Sequence, residues 1–187
     1  RFPALINLNK EMDKLIHDCF EDNEIFAITK YKSFSSFMIK EHYAIQLSNY
    51  IDFCMKIGFK GKTSEEINDS LNEIIYLYKC LTNKIQFQIQ ADKKMSNRLL
   101  NNRTISINNE KKFITKLIQE SGPNNINKMT KMMEDFDFNK KILEEYKSSP
   151  SKGMPNGIKF NFQVISYNNW EINKKNLDKI EIPRFLM

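Results

Sequence analysis

From Leu5 to Tyr146 the apolar residues of this chain return every three or four positions, a spacing that admits little besides amphipathic helices packed on one another. Leu5, Leu8, Met12, Leu15, Ile16 and Cys19 form a first stripe. Ile25, Phe26, Ile28, Tyr31, Phe34, Phe37 and Met38 form a second, rich in rings and expected to contribute heavily to burial, with Asp22 and Asn23 ahead of it as caps. A third runs through Ile45, Leu47, Tyr50, Ile51, Cys54 and Ile57 and stops at Gly58. Thr63 and Glu66 then make a T-x-x-E capping box. It predicts one long helix from near Ser64 through Ile67, Leu71, Ile74, Ile75, Tyr78, Leu81, Ile85 and Ile89.

The register changes at Asn101, Asn102 and Arg103, and a new helix is expected from Ser106, whose hydroxyl is placed to cap a free backbone amide. Glu110 suits the positive end of that helix, Phe113, Ile114, Leu117 and Ile118 give its apolar face, and Gly122-Pro123 ends it. Ile126, Met129, Met132, Met133 and Phe136 predict a shorter helix with methionines as gap-filling core, and Ile142, Leu143 and Tyr146 predict another.

The composition changes at Ser148–Gly157, SSPSKGMPNG, which reads as a linker. Beyond it Ile158, Phe160, Phe162 and Val164 alternate with polar residues, the period of a half-buried strand. Ser166 to Asn169 is turn-like, Trp170 is the sole tryptophan, and a second short strand is expected between Ile180 and Pro183. The expected fold is therefore mainly α: a bundle of long antiparallel helices over 1–147, a linker over 148–157, and a short strand or hairpin opening an α/β subdomain over 158–187. One or two strands are marginal alone, so the sheet is expected to be completed by the parent chain or by a partner's strand.

With 187 residues, 41% of them hydrophobic, the chain has material for a real core. It holds no apolar run near the roughly 20 residues a membrane helix needs. RFPALINLNK lacks the layout of a signal peptide, so the reading is a soluble intracellular protein. Cys19, Cys54 and Cys80 sit in apolar stripes and are expected to pack in the core, not to form disulfides. His17 and His42 have no companions at metal-ligand spacing, so no metal is expected. No glycine-rich phosphate loop or nucleophile with a base is present, and Glu144 and Glu145 beside Lys140, Lys141 and Lys147 read as a solvated face. Neither enzyme activity nor a cofactor is expected.

The net charge is +6, and its source is local. Between Lys84 and Ser121 eight basic residues face three acidic ones. Charge alone permits a basic helical module that binds nucleic acid, but no recognition-helix motif or aromatic-plus-basic stacking pattern accompanies it.

Phe87 to Gly122, FQIQADKKMSNRLLNNRTISINNEKKFITKLIQESG, resembles the cullin signature. That signature has a phenylalanine, a helix ending Leu-Ala-Lys-Arg-Leu-Leu, then Ser-x-Ser-Asp-Asp-x-Glu, Met-Ile-x-Lys-Leu-Lys and Glu-Cys-Gly. Arg98, Leu99, Leu100, Ser106, Glu110, Ile114, Lys116, Leu117, Glu120 and Gly122 fall on matching positions without a gap. Phe20 to Phe26 is similar to Phe-x-Asn-Asp-x-x-Phe, and Tyr50 to Asp52 to Tyr-x-Asp. Lys128, Met133 and Asp135 resemble Ser-Lys-Leu-x-x-Met-Phe-x-Asp, and Phe162 to Trp170 resembles Val-Leu-x-x-x-x-Trp-Pro. The chain departs from the pattern at Asn97, Ser121, Asn169 and Glu171.

The resemblance covers essentially the whole chain and implies a non-catalytic scaffold of a cytoplasmic and nuclear cullin-RING ubiquitin ligase. It holds a RING-box protein, which brings a charged ubiquitin-conjugating enzyme, and it reaches a substrate adaptor through regions outside this chain. The modifier-accepting lysine is likewise expected elsewhere. The resemblance makes Phe160, Phe162, Val164 and Ile165 candidates for supporting the partner's inserted strand, the alternative for each being packing on the bundle. It makes Lys56, Lys60 and Lys62 candidates for attracting the acidic tail of a conjugating enzyme.

Overall fold

Local capping decides where each helix of this chain starts, and tertiary contact decides how far it runs. The structure, a computed structural model, describes residues 2–148 and 162–172. Its helices are α1 (Phe2–Phe20), α2 (Glu24–Phe37), α3 (Glu41–Phe53), α4 (Ser64–Cys80), α5 (Lys84–Leu100), α6 (Ile107–Ser121) and α7 (Asn127–Ser148). Asn23 caps α2 by accepting the Ile25 amide. The capping box before α4 is closed both ways: the Thr63 hydroxyl accepts the Glu66 amide at 3.2 Å, and the Glu66 carboxylate accepts the Thr63 amide at 2.7 Å. Three expectations about helix ends fail for identifiable reasons.

The single long helix expected from Ser64 to Ile89 is two helices. The backbone turns extended at Leu81, and Asn83 accepts the Gln86 amide at 2.9 Å, so a second cap lies inside the apparent stripe. The continuity of Leu81, Ile85 and Ile89 is accidental: Ile85 and Ile89 are 76% and 55% exposed, while Phe87, Ala91, Met95 and Leu99 carry the buried face of α5. In the opposite direction, the two helices expected after Pro123 are one. A 3₁₀ turn, Pro123–Ile126, leads into α7, which has no proline or glycine to stop it before Ser148. Ser106 precedes α6 but makes no side-chain cap; its carbonyl accepts the Asn109 and Glu110 amides instead. Gly122 ends α6 at φ 81°, a backbone angle that favours glycine.

The helices stack with next-but-one neighbours side by side. Lys112 reaches Ser64, Lys116 reaches Asn72, and Ser121 meets Tyr78, so contacts advance together along α6 and α4 and the two run parallel. α3 and α5 likewise bring their C-terminal ends together, where Arg98 meets Asp52. Next-but-one helices lying side by side in the same direction are what stacked helix pairs produce. The core runs through these layers, with Leu47, Leu71, Leu77, Phe87, Met95 and Leu117 all fully buried.

α3 does not end at Phe53 but widens into a π turn, Cys54–Gly58. Gly58 stands where a methyl group would press on the Phe53 ring at 3.1 Å. Met38, Met55, Met95, Met129, Met132 and Met133 are buried, in line with their gap-filling role. Cys54 and Cys80 are buried, whereas Cys19 is exposed, contrary to expectation. The aromatic stripe of α2 also departs from expectation. Phe34 and Met38 are buried, but Ile25, Phe26, Ile28, Tyr31 and Phe37 remain exposed on a hairpin that packs on α4.

Residues 162–165 form no strand among the described residues. The rest of the expected strand, Ile158 to Asn161, and the second one near Pro183 lie outside the described residues.

Candidate functional site

Three layers of the stack meet at one buried guanidinium. Arg98, near the end of α5, gives Nε and Nη2 to the two carboxylate oxygens of Glu110 in α6, both at 2.8 Å, and Nη1 to Asp52 in α3 at 2.9 Å. Asp52 also accepts Lys56 one turn on, at 2.7 Å, and Glu110 accepts the Thr104 hydroxyl at 2.9 Å. Arg98 and Glu110 are 2% and 0% exposed, so this is a desolvated, fully bonded ion pair with a half-buried extension. Burial alone would push the guanidinium pKa down, but the bonds and charges of Glu110 and Asp52 hold it above its ordinary value. Burial alone would likewise raise Asp52, and the Lys56 and Arg98 bonds bring it below the usual carboxylate range.

Leu99 is buried in the core beside this network, Leu100 packs against it half-buried, and Ser106 leads the chain into α6. Glu110 thus acts less as a helix-end charge than as the partner of Arg98. Asp52 gave a sequence signal through its i,i+4 spacing from Lys56, but nothing in the spacing linked either to Arg98, 46 residues away.

Of the three lysines singled out at this end, Lys56 is held by Asp52, and Lys60 and Lys62 are exposed. Lys62 stands over the Phe59 ring at 5.8 Å. The wider basic cluster is largely engaged within the fold. Lys84 faces Glu120, Lys111 pairs with Asp137, Lys112 and Lys116 bridge to α4, and Arg98 is buried.

Residues 164–170 are tied to α7 by two side chains that the sequence patterns did not connect. The Asn139 amide is 7% exposed and treats Val164 as a strand would, donating to its carbonyl at 2.7 Å and accepting its amide at 2.6 Å. One oxygen of Asp135 accepts the Ser166 amide at 2.8 Å, the Ser166 hydroxyl, and the indole N–H of Trp170 at 2.6 Å. Burial pushes the Asp135 carboxyl up, but these donors hold it below its ordinary value. Trp170 is buried, and the next amide, Glu171, donates to Ser96 of α5 at 3.0 Å. Phe162 meets the Tyr146 ring edge-on at 5.8 Å, Ile165 packs on the core, Val164 is half exposed, and Phe160 lies outside the described residues.

Among the described residues no group of three His, Cys, Asp or Glu side chains could hold a metal ion, and no helix is long and apolar enough to cross a membrane. The geometry defines a class first: an α-solenoid with an apolar core, whose few buried charges join neighbouring helices. Residues 2–143 match the cullin α-solenoid domain, and the chain belongs to the cullin family. It is 28% identical over 170 residues to Cullin-4 of Dictyostelium discoideum, covering 90% of this chain and 21% of that protein. It is 26% identical over 169 residues to human Cullin-4A and 25% identical to the mouse protein of that name, in each case over 89% of this chain and 22% of the relative. The chain spans about a fifth of the length of the curated relatives it matches.

Proposed function

We propose that this chain is a non-catalytic scaffold segment of a cullin-RING ubiquitin ligase, a stiff spacer that holds a RING-box protein and an adaptor-bound substrate at a set separation. The supporting observation is the Arg98–Glu110–Asp52 network, which joins α3, α5 and α6 through bonds that cannot slide without stranding a buried charge. A spacer of this kind contributes proximity, raising the effective concentration of substrate at the ubiquitin thioester. The converging acid, base and nucleophile of an active site are not needed for that work.

In this reading the segment containing Phe160, Phe162, Val164 and Ile165 supports a strand of the RING-box protein, with α7 as its backing. Lys60 and Lys62, with Lys56 held against Asp52 beside them, attract the acidic tail of a conjugating enzyme, acting on association rate and therefore sensitive to salt. The adaptor binds elsewhere in the full-length protein, and the complex works in cytoplasm and nucleus. The engagement of Lys84, Arg98, Lys111, Lys112 and Lys116 within the fold weighs against a nucleic-acid module.

The test is reconstitution of the full-length protein carrying this chain with a RING-box protein, a charged conjugating enzyme and an adaptor-held substrate. A stable RING complex and substrate ubiquitination are expected. Failure to form that complex, together with DNA binding that falls steeply along a salt series, would contradict the proposal.

A further inference from the structure

Two of the sequence patterns picked out above, the one ending at Asp135 and the one ending at Trp170, meet in space, and neither pattern by itself says why. Asp135 gathers the Ser166 amide, the Ser166 hydroxyl and the Trp170 indole on one oxygen, and Asn139, one turn further along α7, pairs with both backbone groups of Val164. Asn169 donates to the Ser166 hydroxyl at 2.9 Å, closing the turn between the two anchor residues. Sliding the segment by one residue would break all of these bonds at once and lift a buried tryptophan from the core. The register of residues 164–170 on α7 is therefore single-valued.

We propose that Asp135 is a positioning residue: by fixing residues 164–170 on α7 it makes the segment that follows the helices turn with them as one body. This rests on the scaffold reading above, because only a segment that carries a partner has a direction worth fixing. The bonds to Asp135 are charge-assisted, hence short and directional. Loss of the carboxylate leaves the helices stacked and the segment attached through Asn139, but frees its orientation. The consequence falls on transfer geometry more than on partner affinity.

The experiment has two arms. In the first, the 187-residue chain and its Asp135→Ala and Asp135→Asn variants are compared by tryptophan emission, which reports Trp170 alone because it is the only tryptophan. Asp135→Ala is expected to shift emission to the red and to increase quenching by iodide, with far-ultraviolet circular dichroism unchanged. Asp135→Asn, which keeps an acceptor oxygen but not the charge, is expected between the two. Emission unchanged in Asp135→Ala overturns the clasp.

In the second arm the full-length protein is assembled with a RING-box protein. With RING-box protein at saturation, Asp135→Ala is expected to slow transfer to the adaptor-held substrate by about tenfold to a hundredfold, a much larger fall than in discharge of ubiquitin to free lysine. Asp135→Asn is expected to restore part of that loss. An equal fall in free discharge and in substrate transfer overturns the positional role, leaving Asp135 a merely structural residue. Absence of substrate transfer from the wild-type complex overturns the scaffold reading and the positional role with it, while the emission arm still decides the clasp.

Discussion

The α3–α5–α6 junction and the α1–α2 hairpin carry the same three-and-four apolar spacing and have opposite fates. At the junction Phe87, Met95, Leu99, Phe113 and Leu117 are all covered, and Arg98 and Glu110, the charges buried with them, satisfy each other. On the hairpin Ile25 is 71% exposed, and Leu8, Leu15, Ile28 and Phe37 are open beside it. Grooves of about 440 and 490 Å³ run past Leu8, Leu15 and Phe37. Amphipathic spacing fixes which side of a helix is apolar, whereas burial depends on a neighbour that the spacing does not describe. The polar bonds differ in the same sense: Arg98 sits among three elements, while Lys30 of α2, itself buried, is answered by a single partly exposed carboxylate, Asp13 of α1.

That contrast predicts its own breaking points. Arg98→Ala removes one partner from a desolvated pair and is expected to cost about 3 to 5 kcal/mol in urea denaturation. The paired change Arg98→Met with Glu110→Leu should recover most of that loss, since a buried pair replaced whole by apolar groups is often neutral. If the single and double variants are equally unstable, the network acts through shape and not through charge.

A second effect, of intermediate size, concerns Asp92 of α5. Burial foremost, with the charge of Glu171, raises its carboxyl pKa to about 6, against the opposing bond from Gln88 and the charge of Lys128. The folded value lies above the unfolded one, so the folded state holds the extra proton and stability falls as pH rises from about 4 to about 6. Asp92→Asn keeps the oxygen that Gln88 bonds and removes the charge. It is expected to be more stable than wild type by about 1 to 3 kcal/mol at pH 7, with the advantage shrinking as pH is lowered to 4.

The smallest effects sharpen the comparison at the surface. Thr63→Ala opens the capping box and should cost about 1 kcal/mol. Ile25→Ser on the open face of the hairpin should change stability by no more than about 0.5 kcal/mol.

What was legible in the sequence follows the physics of each signal. The helices and several of their ends could be read from local chemistry alone: Asn23, Thr63 with Glu66, and Gly122 act within one turn of where they stand. The split at Leu81 was hidden because Asn83, an adequate cap, lay inside an apolar series that continued across it by chance. The union of α7 was hidden because its methionine stripe fades into polar residues, one of which, Asn139, is buried for the sake of Val164. Arg98 and Asp135 stood out only through a resemblance to cullins, and Glu110 was legible as a helix-end charge but not as the partner of Arg98. Arg98 meets Glu110 12 residues away and Asp52 46 away, and Asp135 meets Trp170 35 away, beyond any local rule.

The central claim is stiffness, and a distance distribution measures it most directly. Spin labels at Lys14→Cys in α1 and Glu144→Cys in α7, two exposed positions at either end of the stack, with exposed Cys19 replaced by Ser, would be compared by double electron–electron resonance. One narrow distance peak, broadened when Arg98→Ala is introduced, is the expected result. A broad or multimodal distribution in the otherwise wild-type chain would contradict the account.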